Sequence, residues 1–179
     1  MNWFRDLFRR LPKPELQNTT AEAEENDPEV QFHLGVISSS GEGDAQDYAR
    51  AAQWYLKAAK LNHPLAQLNL GLMYARGQGV TKNESEARIW ILKAAEQGDA
   101  GAQFNLGTRC HRSRVNETDS DAGESRIESY KWLQLAAAQG YNQANATCER
   151  VALGMTQEEV TEGAHRVASF LSVAKLPPG

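Results

Sequence analysis

Four histidines (His33, His63, His111 and His165) and two cysteines (Cys110 and Cys148) are the side chains best suited to acid–base, nucleophilic or metal chemistry near neutral pH in this 179-residue chain. Their spacing gives them no shared task. No two histidines stand four apart, as a metal-binding helix needs, and neither a glycine-rich phosphate loop nor a strand-to-helix nucleophile turn occurs. Asp119, Asp121 and Glu124 have part of the spacing of a calcium loop, but Gly123 comes one position early and the remaining ligands are missing. Two cysteines are too few for a disulfide framework and read as free thiols. The Asn-X-Ser/Thr matches at Asn18, Asn83, Asn116 and Asn145 matter only after secretion. The reading is therefore no catalytic residue, no metal and no cofactor.

What remains is surface chemistry. At i, i+4, i+7, i+11 the chain presents Glu29, His33, Val36 and Ser40, then Leu65, Asn69, Leu72 and Arg76, then Gly101, Asn105, Thr108 and Arg112. On helices this spacing puts each set on one face, and three such faces side by side make a mildly polar surface with an apolar middle row, suited to an extended segment of another protein. A merely solvated face is the competing reading. A second surface is the opening segment. Trp3, Phe4, Leu7, Phe8 and Leu11 share one helical side, with Arg5, Arg9 and Arg10 between them, before Pro12 ends the run. Such a helix lies on an anionic membrane, docks on a partner, or folds back on its own chain. Residues 12–26, acidic and polar after Pro12 and Pro14, read as a flexible tether.

These faces need elements to hold them, and the elements repeat. LGVISSSGEG from Leu34, LGLMYARGQG from Leu70 and LGTRCHRSRV from Leu106 start 36 positions apart. Gly41/Gly77, Gly43/Gly79, Ala51/Ala87, Trp54/Trp90 and Lys57/Lys93 keep that offset. In the third copy Gly107 and Trp132 are 25 apart where the first two copies have 19, which places six extra residues between 109 and 128; this stretch is expected to be a disordered loop or a binding elaboration. Each copy reads as two helices. Asp27, His63 and Asp99 precede the first, Asp47 and Asn83 cap the second, and Asn62, Gly98 and Gly140 end it. The stripe Ala66, Leu70, Tyr74 with Gly71 is expected to pack on Ala87, Trp90, Ile91, Ala94 and Ala95, with Trp90 filling the space between helices. One such hairpin cannot bury its apolar stripe alone, so the copies must stack.

The run AQLNLGLMYARGQGVTKNESEARIWILKAAEQG, Ala66 to Gly98, resembles a near-consensus member of the Sel-one-like repeat family. The 36-residue period and paired glycines separate it from the 34-residue tetratricopeptide spacing. Copy one departs at Ser38, where the second has Tyr74; copy three departs at Cys110, Ser113 and Val115. A partial fourth copy begins near Ala144, and TQEEVTEGAHRVASFL closes the chain as a capping helix with Thr156 and Glu159 in capping-box spacing. The resemblance implies an all-α fold, a right-handed α-solenoid of helix–turn–helix, tetratricopeptide-like repeats, and a scaffold that binds other proteins or peptides. Some cysteine-rich bacterial members are associated with β-lactam hydrolysis; their repeats carry cysteine pairs that are lacking here, so that activity is not carried over.

Composition agrees with a folded body. Apolar residues at 41% and charged residues at 23% exclude disorder throughout, as such values are ordinary for globular chains. A net charge of −4 is not that of a nucleic-acid binder. Charge is uneven only near the start: +3 over residues 1–14 and −6 over 15–29. The expected organisation is a helix and tether over 1–26, a solenoid over 27–172 (27–63, 64–99, 100–143 and a partial 144–172), and a tail over 173–179. The expected function is a non-enzymatic adaptor binding a partner protein or peptide on the inner face. The alternatives are a β-lactamase-like hydrolase on the same scaffold and a toxin-inhibiting immunity protein. With no signal-peptide stretch the expected location is cytoplasmic, peripheral at the inner membrane surface if the opening helix takes lipid.

Overall fold

The computed structural model describes residues 27–41, 46–112 and 119–174. Among these are eight α-helices and no strand: α1 Pro28–Ser40, α2 Tyr48–Lys60, α3 Pro64–Arg76, α4 Glu84–Glu96, α5 Ala100–Arg112, α6 Asp119–Ala138, α7 Ala144–Ala152 and α8 Gln157–Ala174. α1 packs on α2, α3 on α4 and α5 on α6, and each second helix also meets the next first helix, so three hairpins stack in series. The starts are chemical, because a side-chain acceptor satisfies amides that the first turn leaves unbonded. The Asp27 carboxylate accepts the Glu29 amide at 2.9 Å, and Asp99 accepts that of Ala102 at 2.7 Å. Asp47 accepts Arg50 at 2.9 Å, and Asn83 accepts Ser85 at 3.0 Å. His63 does the same through Nδ1, 3.2 Å from the Ala66 amide. The stops are residues able to take positive φ: Gly41, Gly77, Asn62, Gly98 and Gly140.

Close approach within a hairpin depends on one glycine per copy. A Cβ on Gly35 would stand 2.6 Å from the Tyr55 ring, on Gly71 2.6 Å from Ile91 Cγ1, and on Gly107 2.8 Å from Leu133 Cγ. Around these contacts the helices bury alanines (Ala51, Ala58, Ala87, Ala94, Ala95) that bring backbones together, while Leu70 and Leu106 fill the space between copies. Copies are also tied by buried glutamines. The Gln67 amide donates to Ala59 O (3.1 Å) and its oxygen accepts from Gln97 (2.7 Å); one period later Gln103 donates to Ala95 O (3.2 Å) and accepts from Gln139 (2.9 Å). A buried amide with both ends satisfied fixes register without leaving an orphaned dipole.

The insertion in copy three differs from the expected disordered loop. Its second half is helical: α6 has 20 residues where α4 has 13, about two extra turns at its N-terminal end. The reason is that α8 does not form a hairpin with α7 but crosses to lie along α6. Arg126 holds the Glu159 carboxylate, and Arg166 reaches Glu124 (2.5 Å), Glu128 (2.9 Å) and Glu162 (2.8 Å). The Arg166 hydrogen bond lowers the Glu124 pKa, and the carboxylates raise that of Arg166. Gly163 lets the Tyr130 ring in, since a Cβ there would sit 2.7 Å from it, and Phe170 packs edge-on to Trp132 at 5.6 Å. The capping box starts α8 as expected, Thr156 N–H to Glu159 at 2.9 Å and the return bond at 3.2 Å.

The three repeat tryptophans are not equivalent. Trp54 and Trp132 are buried at 7% and 3% exposure. Trp90, expected to fill the space between helices, is instead half-buried on the flank of the first core cluster, its indole N–H bonded to Glu86 (3.0 Å) and Lys93 Nζ 4.4 Å from its ring. Phe170 of α8 supplies the cover at Trp132; among the described residues no ring does so at Trp90.

Candidate functional site

Where the first two copies meet, α1, α2 and α3 leave an open cleft of about 380 Å³. Val36 and Ser39 of α1 form one wall, Asn69, Leu72 and Arg76 of α3 the other, and Tyr55 of α2 lies between them. The local sequence explains the floor. Gly35 makes room for the Tyr55 ring, which is 4% exposed, and the phenol hydroxyl stands 3.3 Å from Ser39 Oγ and is hydrogen bonded to Asn69. Burial raises the Tyr55 pKa above its ordinary value despite the opposing pull of both bonds. The lip is set by the turn after α3. Gly79, at φ +68°, passes so near the start of α2 that a Cβ would overlap the Tyr48 carbonyl oxygen, which places Gln78 and Tyr48 at the same cleft.

Of the residues singled out as a partner-binding face, the cleft gathers Val36, Asn69, Leu72 and Arg76. Leu65 lies exposed on the same helix at 44%. His33 is drawn aside by Glu29, whose carboxylate bridges His33 Nε2 (3.2 Å) and His63 Nε2 (2.9 Å). Because His63 Nδ1 accepts the Ala66 amide, its Nε2 carries the proton and donates to Glu29. This imidazole is therefore a satisfied cap, also stacked on Phe32 at 4.6 Å. Ser40 bonds the Ile37 carbonyl. In copy three the polar groups turn inward: the Asn105 amide donates to Gly101 O (2.8 Å) and the Thr108 hydroxyl to Asn105 O (2.9 Å), while Tyr141 and Leu68 close over Gly101. The Arg112 side chain and the opening residues Trp3, Phe4, Arg5, Leu7, Phe8, Arg9, Arg10 and Leu11 lie outside the described residues.

Both cysteines are free thiols. Cys148 is buried in α7, and desolvation, with a smaller contribution from Glu149, pushes its pKa up to about 11. At pH 8 only about one thiol in a thousand is then thiolate. Native labelling with a maleimide at pH 8 should therefore modify the half-buried Cys110 first and leave Cys148 intact until unfolding; equal rates at both would contradict this burial. Among the described residues no cluster of three or more His, Cys, Asp or Glu could hold a metal, and no helix is long and apolar enough to cross a membrane.

Tyr55 and Ser39 are not marked by the periodic spacing. The signal for Tyr55 is a break in the repeat itself, since the corresponding positions 91 and 133 hold Ile91 and Leu133. The period is that of known repeats: the model of the Sel1 repeat matches residues 28–63, 64–99 and 100–141. This chain belongs to the Sel1 repeat family. Proteins of the Sel1 family generally mediate protein–protein interaction as non-enzymatic scaffolds. Among solved structures, the chain is similar to a Sel1 repeat protein from Oxalobacter formigenes, with 31% identity, a TM-score of 0.67, and coverage of 85% of this chain and 63% of that one. It is also similar to c5321, a protective antigen of uropathogenic Escherichia coli with an SLR fold, with 28% identity, a TM-score of 0.65, and coverage of 80% and 32%. The chain thus spans about a third to under two thirds of these relatives' length. Among curated proteins none matches.

Across the Sel1 copies, what stays constant and what varies divide cleanly. Leu34/Leu70/Leu106 and Gly35/Gly71/Gly107 recur because every copy needs the same filler and gap, and Gln67/Gln103 because the junctions on either side of copy two need the same register bond. The cleft positions change from copy to copy: Val36, Leu72 and Thr108; Ser40, Arg76 and Arg112; Tyr55, Ile91 and Leu133.

Proposed function

We propose that this Sel1 repeat chain is a non-enzymatic adaptor that holds a segment of a partner protein in the cleft between its first two copies. The observation that carries the reading is that four residues marked by their spacing alone, Val36, Asn69, Leu72 and Arg76, converge on one open cleft whose walls come from two different repeats. Such a surface grips a segment laid across the stack, because the helices on either side are already fixed by the solenoid and lose little entropy on binding. Catalysis has no comparable support: both nitrogens of the buried His63 are engaged by the fold, and the buried Cys148 is held as an un-ionised thiol at neutral pH.

The test uses two exposed positions, so that the fold is left alone. Asn69 is avoided because it bonds the Tyr55 hydroxyl. Val36→Glu combined with Arg76→Glu should remove, from an affinity purification in the native host, any partner recovered at stoichiometric level with the natural chain, with the melting temperature unchanged. Undiminished recovery by the double variant would move the site away from this cleft.

A further inference from the structure

The chemistry of the cleft names the kind of segment it holds, an inference that rests on the adaptor reading above. Among the described residues lining it, Arg76 is the one charged side chain; the other polar atoms are the neutral hydroxyls and amides of Ser39, Tyr48, Tyr55, Asn69 and Gln78. Arg109 pairs with Glu84 and Arg126 with Glu159, whereas Arg76 has no carboxylate partner among the described residues. The floor differs from the other junctions in kind. A buried phenol hydroxyl stands where copies two and three put the aliphatic Ile91 and Leu133, and beside it Val36, Leu72 and Met73 give an apolar wall. A guanidinium at the rim, neutral hydrogen-bonding groups below and an aliphatic wall alongside complement a carboxylate next to a branched apolar side chain. The volume, about 380 Å³, is near the lower end of those that enclose small ligands and suits a short stretch of chain rather than a folded domain.

We infer that the cleft binds an extended partner segment in which an Asp or Glu neighbours an aliphatic residue, the acid pairing with Arg76 and the aliphatic side chain packing on Val36 and Leu72. Because the cleft is open, the acid is placed within the segment rather than at a chain terminus.

The test is to pan a library of random heptapeptides against the full chain and synthesise the enriched sequences. The expected result is enrichment of Asp or Glu beside Leu, Ile or Val, with affinity falling at least tenfold for Arg76→Gln, by a similar factor for the Gln analogue of the peptide, and progressively with added salt. Masking the peptide's C-terminus as an amide should change little; a tenfold loss there would overturn the internal placement in favour of a terminal carboxylate. Peptides that lack an acid, ignore Arg76→Gln, yet are lost on Val36→Glu would overturn the charge inference and leave the adaptor cleft standing. Peptides insensitive to both substitutions would overturn the cleft itself, and a panel with no enrichment would overturn the inference. Competition by a synthetic peptide of residues 15–26, acidic and without a base, at equal affinity would reassign the cleft to the chain's own tether.

Discussion

Gly79→Ala should lower the stability of the chain by about 3 kcal/mol, more than any other single methyl addition at a turn. Two effects combine there. At φ +68° an alanine is strained by about 1–2 kcal/mol. In addition, its Cβ would overlap the Tyr48 carbonyl oxygen and fall 2.6 Å from the Ala49 amide nitrogen, which are backbone atoms at the start of a helix and cannot swing aside. Relieving that overlap requires the turn after α3 to lift off α2, a displacement of the kind that costs about 1–3 kcal/mol. Gly98 and Gly140 are internal controls. Both have positive φ and nothing within 4 Å of an added Cβ. Gly98→Ala and Gly140→Ala should therefore show the strain alone, about 1 kcal/mol. Urea unfolding of the three variants tests this. If Gly79→Ala were as mild as Gly98→Ala, the turn would not be seated on α2, and the cleft lip built from Gln78 and Tyr48 would lose its explanation.

That contrast also shows which parts of the molecule are legible in sequence. Helix ends are written locally, because a cap needs one side chain within three residues of the amides it satisfies. Hence Asp27, Asp47, Asn83 and the Thr156/Glu159 box stand where their residue types put them. Period is legible too, since every copy must solve the same packing problem with the same glycine and leucine. Contacts between distant segments are not. Nothing near residue 119 announces that the extra residues of copy three become two helical turns, because those turns are held by Arg166 and Glu159, far along the chain. For the same reason four cleft residues are visible as a helical face, while Ser39 and Tyr55 are not: the first lies off that face, and the second comes from the intervening helix through the gap at Gly35. Copy three misleads in the opposite sense. Its Asn105 and Thr108 have the right spacing, but in the fold they bond their own helix, as short polar side chains do when a backbone carbonyl is within reach.

The tryptophans carry the other large effect, and they rank by what lies over them rather than by their place in the repeat. Trp132→Ala should cost about 3–5 kcal/mol, the range for emptying a buried aromatic site. Trp132 is 3% exposed, sits among Ala95, Leu106 and Leu135, and is covered by Phe170 from α8. Trp90 is only half-buried, so water already reaches part of the surface that truncation would expose. Trp90→Ala should therefore cost less, about 1–2 kcal/mol. The difference has a structural cause that can be isolated. If Phe170 is what turns a repeat tryptophan on the flank into a core residue, then Phe170→Ala should remove part of the Trp132 contribution. The double variant would then lose less than the two single losses combined, by about 0.5–1.5 kcal/mol for an edge-to-face ring pair. Equal losses at Trp90 and Trp132, with additive losses at Trp132 and Phe170, would mean that α8 does not cover copy three. The long α6 would then have no partner for its first two turns, and the extra residues in that copy would have no structural role.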